Sequence, residues 1–311
     1  KIFQNSDGII FIPTWESGAF SYNNNNIRTF TEVDGHNPHW GTNAVFDNEN
    51  NLWLSMEGGL AKIRDQQVVE MFNTQKGLPS NVIRYLTLDN FGNVWGSSDN
   101  GLFSINKGKV VNYSEKFDSS KKDIWRISFG KNGLIWALGQ GYLCSFDGEN
   151  VKYFQNDSIP IEGWNSGLLA LDDGSVIFGG SSLKRLQPNH EKTPFEIINK
   201  DNKDGWINGI AYTKEKNIIY SASELGLIVL KNFKKIKLYN EDNGFIFDVP
   251  TTVFVDNRGW IWSGHESGGV GFYNGELWSY LNTNDGLHSN NIHQIIQNND
   301  YHCFLCTLGL S

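Results

Sequence analysis

One motif returns along this chain at intervals of 41 to 43 residues, and that period constrains the fold before any single side chain is considered. Its clearest copy reads Gly77-Leu78-Pro79-Ser80-Asn81, then an apolar run from Val82 to Asp89. Gly92-Asn93-Val94-Trp95-Gly96 and Gly101-Leu102 complete it. The turn residue before the tryptophan segment falls at Gly8, Asn50, Gly92, Gly133, Gly174, Asn217, Gly259 and Asp300. Three residues beyond each marker stands a large or apolar side chain: Phe11, Trp53, Trp95, Trp136, Ile177, Tyr220, Trp262 and Cys303. A second glycine usually follows eight or nine residues beyond the marker, at Gly59, Gly101, Gly141, Gly226, Gly268 and Gly309, with Gly18 ten beyond. Units that recur at a fixed period must each bury an apolar face against their neighbours.

Each copy reads as four short strands. The apolar first strand (Val82 to Leu88 in the clearest copy) meets a turn, Asp89-Asn90-Phe91-Gly92, and then the tryptophan strand. The second glycine opens a third strand, and a hairpin such as Asn106-Lys107-Gly108, Asp147-Gly148-Glu149 or Asn274-Gly275-Glu276 leads to the fourth. Asp-Gly and Asn-Gly pairs suit two-residue hairpins, whose central residues need positive φ. Short strands at this spacing, with no amphipathic helical run, predict an all-β fold.

A four-stranded unit of this length is the size of a β-propeller blade, and radial closure removes the exposed edges an open sheet would carry. A linear β-solenoid is the alternative. Counting copies gives eight blades, whereas seven is the commoner outcome for such repeats, so seven or eight stay open. The first copy lacks most of its first strand and the last is expected to stop after its second. Both terminal repeats are therefore incomplete, and residues 1–311 are read as a single propeller domain, a segment of a longer protein.

Composition narrows the function classes. Eleven tryptophans supply bulky apolar surface for packing between blades. The net charge is −8 with no basic run beyond the pairs Lys121-Lys122 and Lys234-Lys235, which argues against a nucleic-acid partner. The apolar runs are strand-length, so no membrane span is expected in this segment. Cys144, Cys303 and Cys306 make no disulfide framework. Cys303 and Cys306 have redox or zinc half-site spacing but point to opposite faces of one strand, and are read as buried small hydrophobes. No nucleophile elbow, phosphate loop or dinucleotide fingerprint is present. The seven histidines share no ligand spacing.

The stretch Gly77 to Gly101 and the stretch Asp285-Gly286-Leu287-His288-Ser289-Asn290-Asn291 to Gly309 resemble the two-component regulator propeller repeat. That repeat has the form Gly-Leu-(Pro)-Ser-Asn, an apolar strand, Asp-x-x-Gly-x-(Leu/Ile)-Trp-x-Gly, then Gly-Leu. Gly269-Val270-Gly271-Phe272-Tyr273-Asn274-Gly275-Glu276-Leu277-Trp278 is similar to its Gly-Val-x-x-Tyr-Asp-Gly-x-x-Trp segment. The likeness spans essentially the whole chain. Two copies depart from it: Ile177 and Tyr220 replace tryptophan, and the Gly-Leu-x-Ser-Asn opening is missing. The resemblance implies an extracytoplasmic sensor of a membrane histidine kinase, including the hybrid regulators that detect glycans in gut Bacteroidetes. It also implies signalling to a linked kinase through dimer geometry, with any kinase activity outside this chain.

In a propeller the loop between second and third strands shares a face with the loop leading into the first strand, and ligands gather where such loops converge. Five copies place a carboxylate two residues before the second glycine: Glu16, Glu57, Asp99, Glu224 and Glu266. A ring of acids can accept hydrogen bonds from sugar hydroxyls or hold a cation such as calcium. Each is equally what a solvent-facing turn requires, and Gly139 and Gly180 interrupt the ring. Trp40, Trp164 and Trp206 stand at the heads of first strands, with His39, Trp125, Phe247 and His288 in corresponding loops. Flat aromatic faces stack on pyranose rings; packing between blades is the other reading. Arg84 and Arg126, in first strands near the same level, can clamp the carboxylate of an acidic glycan or form structural ion pairs.

Three function classes follow: a non-enzymatic sensor whose ligand is an oligosaccharide, a scaffold that docks a protein partner, and a propeller enzyme. The last, a polysaccharide lyase or lactone hydrolase, needs a histidine with tyrosine or arginine, or a calcium, for which His39, His288, Arg84 and Arg126 are the candidates. No catalytic set and no cofactor are assigned.

Overall fold

The computed structural model describes residues 3–4, 10–13, 19–23, 26–30, 44–49, 51–56, 58–64, 67–130, 133–154, 167–188, 195–198, 205–213, 216–246, 249–256, 258–285, 290–298, 301–306 and 309–310, with side-chain detail inside 45–292. Eight antiparallel sheets follow one another along the chain, seven of four strands and one of three. Two compact units carry them, Lys1–Phe154 and Gln155–Ser311, with four sheets in each.

The third sheet shows how the repeat is written into geometry. Its strands are Ile83–Leu88, Val94–Ser98, Gly101–Asn106 and Lys109–Asn112, paired strictly in chain order. The first turn closes on Asp89: its Oδ1 accepts the backbone N–H groups of Phe91 and Asn93, both at 2.9 Å, and Gly92 takes φ 82°. Its other oxygen accepts the Trp95 indole N–H at 3.1 Å. The same arrangement recurs one repeat earlier, where Asp47 takes Trp53 at 2.8 Å, and in the seventh sheet, where Asp256 takes Trp262 at 3.0 Å. The aspartate of the repeat is therefore the tryptophan's anchor.

The second glycine is fixed by crowding. Gly59 has φ 136° and Gly226 φ 121°, and a Cβ on either would overlap the carbonyl oxygen that ends the fourth strand, Phe72 or Tyr239. In the seventh sheet the residue in this place is Gly269, against Leu281, and not Gly268 as expected from spacing. His265 bonds Gly269 across three intervening residues, one more than separate Ser98 from Gly101, so the loop has lengthened. The hairpins behave as expected at Lys107-Gly108, where both central residues have positive φ (49° and 77°). Asn232-Phe233 does the same without a glycine (50° and 62°).

Tryptophans wedge neighbouring sheets together. Trp53 packs with Leu60 and Phe72 of its own sheet and with Ile83, Leu86, Val94 and Phe103 of the next. Trp95 joins Ile124, Ile135 and Tyr142 of the fourth sheet, and Trp262 joins Ile292 of the eighth. Tyr220, which replaces tryptophan, fills the same place against Val253 and Ile261. The eighth sheet corrects one expectation: beyond its second strand, Tyr301–Cys306, a third begins at Gly309–Leu310.

Candidate functional site

The leading ends of the first strands position the candidate ligand groups. Asp99, Glu224 and Glu266 each follow directly on a second strand and are exposed. Each donates its backbone N–H to the residue leading into its sheet's first strand: Asp99 to Val82 (3.4 Å), Glu224 to Trp206 (3.1 Å) and Glu266 to Val249 (3.0 Å). The two loop sets thus lie together within each sheet, as the topology requires. Neighbouring sheets are tied at the same end, where Gly101 donates to Lys122 (2.6 Å) and Gly269 to Asn290 (2.8 Å).

Glu224 has a second partner. Its Oε2 accepts the backbone N–H of Trp206 at 3.0 Å, which ties this carboxylate to the half-buried tryptophan at the head of the strand Ile207–Thr213. Trp40, Trp164, His39, His288, Glu57 and Phe247 lie outside the described residues. Among the described residues no group of three or more His, Cys, Asp or Glu side chains is placed to hold a metal ion. Nor, among the described residues, is any helix long and apolar enough to cross a membrane.

The two arginines are separated by register. Ile83 pairs with Ser98 and Tyr85 with Ser97, so Arg84 is the extra residue of a bulge; in the fourth sheet Ile124 pairs with Gly139 and Arg126 with Leu138, so Trp125 is the extra one. Arg84 therefore corresponds to Trp125, and Arg126 to Tyr85. The two arginines thus occupy different steps of the bulge and not equivalent ones. Trp125, expected in a loop, is instead within the strand Ile124–Phe129 and 8% exposed.

Arg84 is committed to an ion pair: Nε and Nη2 reach the two oxygens of Asp123 at 3.1 and 3.4 Å. Arg126 differs. Its Nη1 donates to the Trp125 carbonyl at 3.0 Å, and its guanidinium carbon lies 5.3 Å from the centroid of the Tyr85 ring. Burial pulls this guanidinium down from its ordinary value, with Tyr85 opposing, although the residue keeps some solvent exposure. No carboxylate meets it among the described residues.

The bulge itself is a feature that single-copy reading misses. It recurs at the same step of the first strand in the third, fourth, sixth, seventh and eighth sheets. The bulged side chain latches the next sheet: Asn208 Nδ2 donates to the Pro250 carbonyl at 3.1 Å, and the Thr251 hydroxyl donates to the Ile292 carbonyl. Arg84 plays this part toward Asp123. A polar or bulky residue at this step of these five copies, where core alternation asks for an apolar one, was the available signal.

No protein-family model matches the chain, and no match is found among curated proteins. Solved structures do match. The extracellular domain of the hybrid two component system BT3049 from B. thetaiotaomicron aligns over 100% of this chain and 50% of its own, at 15% identity and TM-score 0.69. The extracellular domain of BT4673 from the same organism aligns over 86% and 37%, at 14% identity and TM-score 0.65. Virginiamycin B lyase from Staphylococcus aureus aligns over 86% and 93%, at 13% identity and TM-score 0.66. This chain spans half or less of the two sensor domains it matches. The likeness, with eight antiparallel sheets in chain order, makes the fold an all-β propeller of the kind found in two-component extracellular domains.

Proposed function

We propose that this chain is the ligand-sensing propeller of an extracytoplasmic receptor in a two-component system, that it catalyses no reaction itself, and that its ligand is a carbohydrate. The observation that carries the reading is the match, over the whole of this chain and half of the other, to the extracellular domain of a hybrid two component system. The carbohydrate assignment rests on the leading ends of the first strands, where the Glu224 carboxylate is bonded to the backbone of Trp206 and the residue pair supplies both an acid and an aromatic ring. Stacking on an indole plus hydrogen bonds from sugar hydroxyls to a carboxylate is the combination a pyranose needs. Trp40, Trp164, His39, His288, Glu57, Asp99 and Glu266 are the further candidates at that end. Residues 1–311 act as one domain in this reading, with the output module and any dimer contact in other parts of the protein.

Titration calorimetry against a panel of neutral and acidic oligosaccharides tests this. One member is expected to bind, with Trp206→Ala weakening it at unchanged thermal stability. A panel with no binder sinks the carbohydrate assignment. The likeness to virginiamycin B lyase favours a second reading, a propeller lyase. Release of an unsaturated product from uronic-acid polymers, with or without calcium, would establish that reading in place of the sensor.

A further inference from the structure

The two inner-strand arginines are treated differently by their surroundings, and the difference identifies a binding group. Arg84 is neutralised by Asp123. Arg126, on the adjacent first strand, is held in place by the Trp125 carbonyl and the Tyr85 ring, neither of which carries a compensating charge. A cation partly removed from water without a counter-charge is costly, and an arginine fixed in that state is preorganised for an oxyanion. Among the described residues the Trp125 carbonyl is the one acceptor it meets, and the planar fork of its remaining N–H donors matches a carboxylate or sulfate. The Tyr85 ring beside the guanidinium lowers the local dielectric and strengthens such a contact.

We propose that Arg126 anchors an oxyanion of the ligand, so that the sugar recognised is an anionic one, carrying a uronate carboxylate or a sulfate ester. This deepens, and rests on, the carbohydrate-sensing reading. Arg126 acts by direct contact with the anion, Tyr85 and Trp125 by positioning the guanidinium, and Arg84 takes no part because Asp123 occupies it.

The test titrates the full chain with three oligosaccharides: trigalacturonate, its methyl ester as the neutral isostere, and a neutral-backbone carrageenan oligosaccharide bearing only sulfate esters. Trigalacturonate or the carrageenan fragment binds, and which of them does so identifies the anion. The methyl ester is weaker than trigalacturonate by roughly 10- to 100-fold if the carboxylate is the anchor, the range expected for a charge-assisted hydrogen bond. Arg126→Gln weakens the anionic ligand by a similar factor, Arg126→Lys by less, and affinity falls with added salt. Circular dichroism and thermal midpoints check that both variants fold.

Equal binding of an anionic sugar by the wild type and a folded Arg126→Gln protein overturns the inference and leaves the carbohydrate reading standing. If no oligosaccharide binds, the carbohydrate reading falls, and inorganic sulfate at matched ionic strength decides the rest. A sulfate-dependent rise in thermal midpoint that is lost in Arg126→Gln sustains the oxyanion site. No such rise overturns it as well.

Discussion

Trp262 donates its indole N–H to the carboxylate of Asp256, six residues back in the chain, at 3.0 Å, and both residues are buried. The carboxylate also accepts the backbone N–H groups of Arg258 and Trp260, each at 2.9 Å, and the Arg258 guanidinium at 2.7 Å. One side chain thus closes the turn and fixes the rotation of the indole that fills the space against the eighth sheet.

Asp256→Ala should therefore destabilise the protein by about 1–3 kcal/mol, since it strands a buried indole donor and opens the turn. The effect should depend on pH. Burial alone would raise the Asp256 carboxyl, but the hydrogen bonds from Trp262, Arg258 and Trp260 outweigh it and hold the carboxyl below its ordinary value. A depressed folded value means the stabilisation is present at neutral pH and is lost as pH falls below the usual carboxylate range, roughly pH 4. Urea unfolding of wild type and variant from pH 7 down to pH 3 should show the two curves converging in acid.

Gly59→Ala should cost more than its single methyl group suggests. The backbone sits at φ 136°, and the new Cβ would overlap the Phe72 carbonyl oxygen. A loss of at least about 3 kcal/mol is expected. Gly174→Ala, at φ 82° with open space around it, should lose only about 1 kcal/mol. Comparable losses in chemical denaturation would show that the close approach is not what holds the glycine.

The bulge latches should contribute measurably to the coupling of adjacent sheets. Asn208→Ala removes the 3.1 Å hydrogen bond to Pro250, and about 0.5–1.5 kcal/mol should go with it. Hydrogen exchange should show the change concentrated in the first strands of the sixth and seventh sheets, Ile207–Thr213 and Pro250–Val255. A uniform change across the described strands would mean the latch is incidental.

Cys144 should be chemically silent in the native protein. Burial pushes its thiol up to about 12, and the residue has no exposed surface. In a Cys303→Ser, Cys306→Ser background, a thiol reagent at pH 8 should label nothing until denaturant is added. Labelling of the native protein would point to local opening of the fourth sheet.

The repeat alone determines the architecture, because strand length, turn chemistry and the tryptophan step are local properties repeated in register. Trp53, Trp95 and Trp262 were legible as wedges, and the second glycine as an obligatory turn, for that reason. What one copy cannot show is register between strands. A single extra residue in each first strand makes Arg84 the partner of Trp125 in position, and Arg126 the partner of Tyr85. Spacing in the sequence put the two arginines near one level; pairing between strands gave them different steps of the bulge, one neutralised by Asp123 and the other facing an aromatic ring. Side-chain direction in a sheet alternates with every residue, so only the assembled ladder, with its bulges, decides which charged group is spent on structure and which stays open for a ligand.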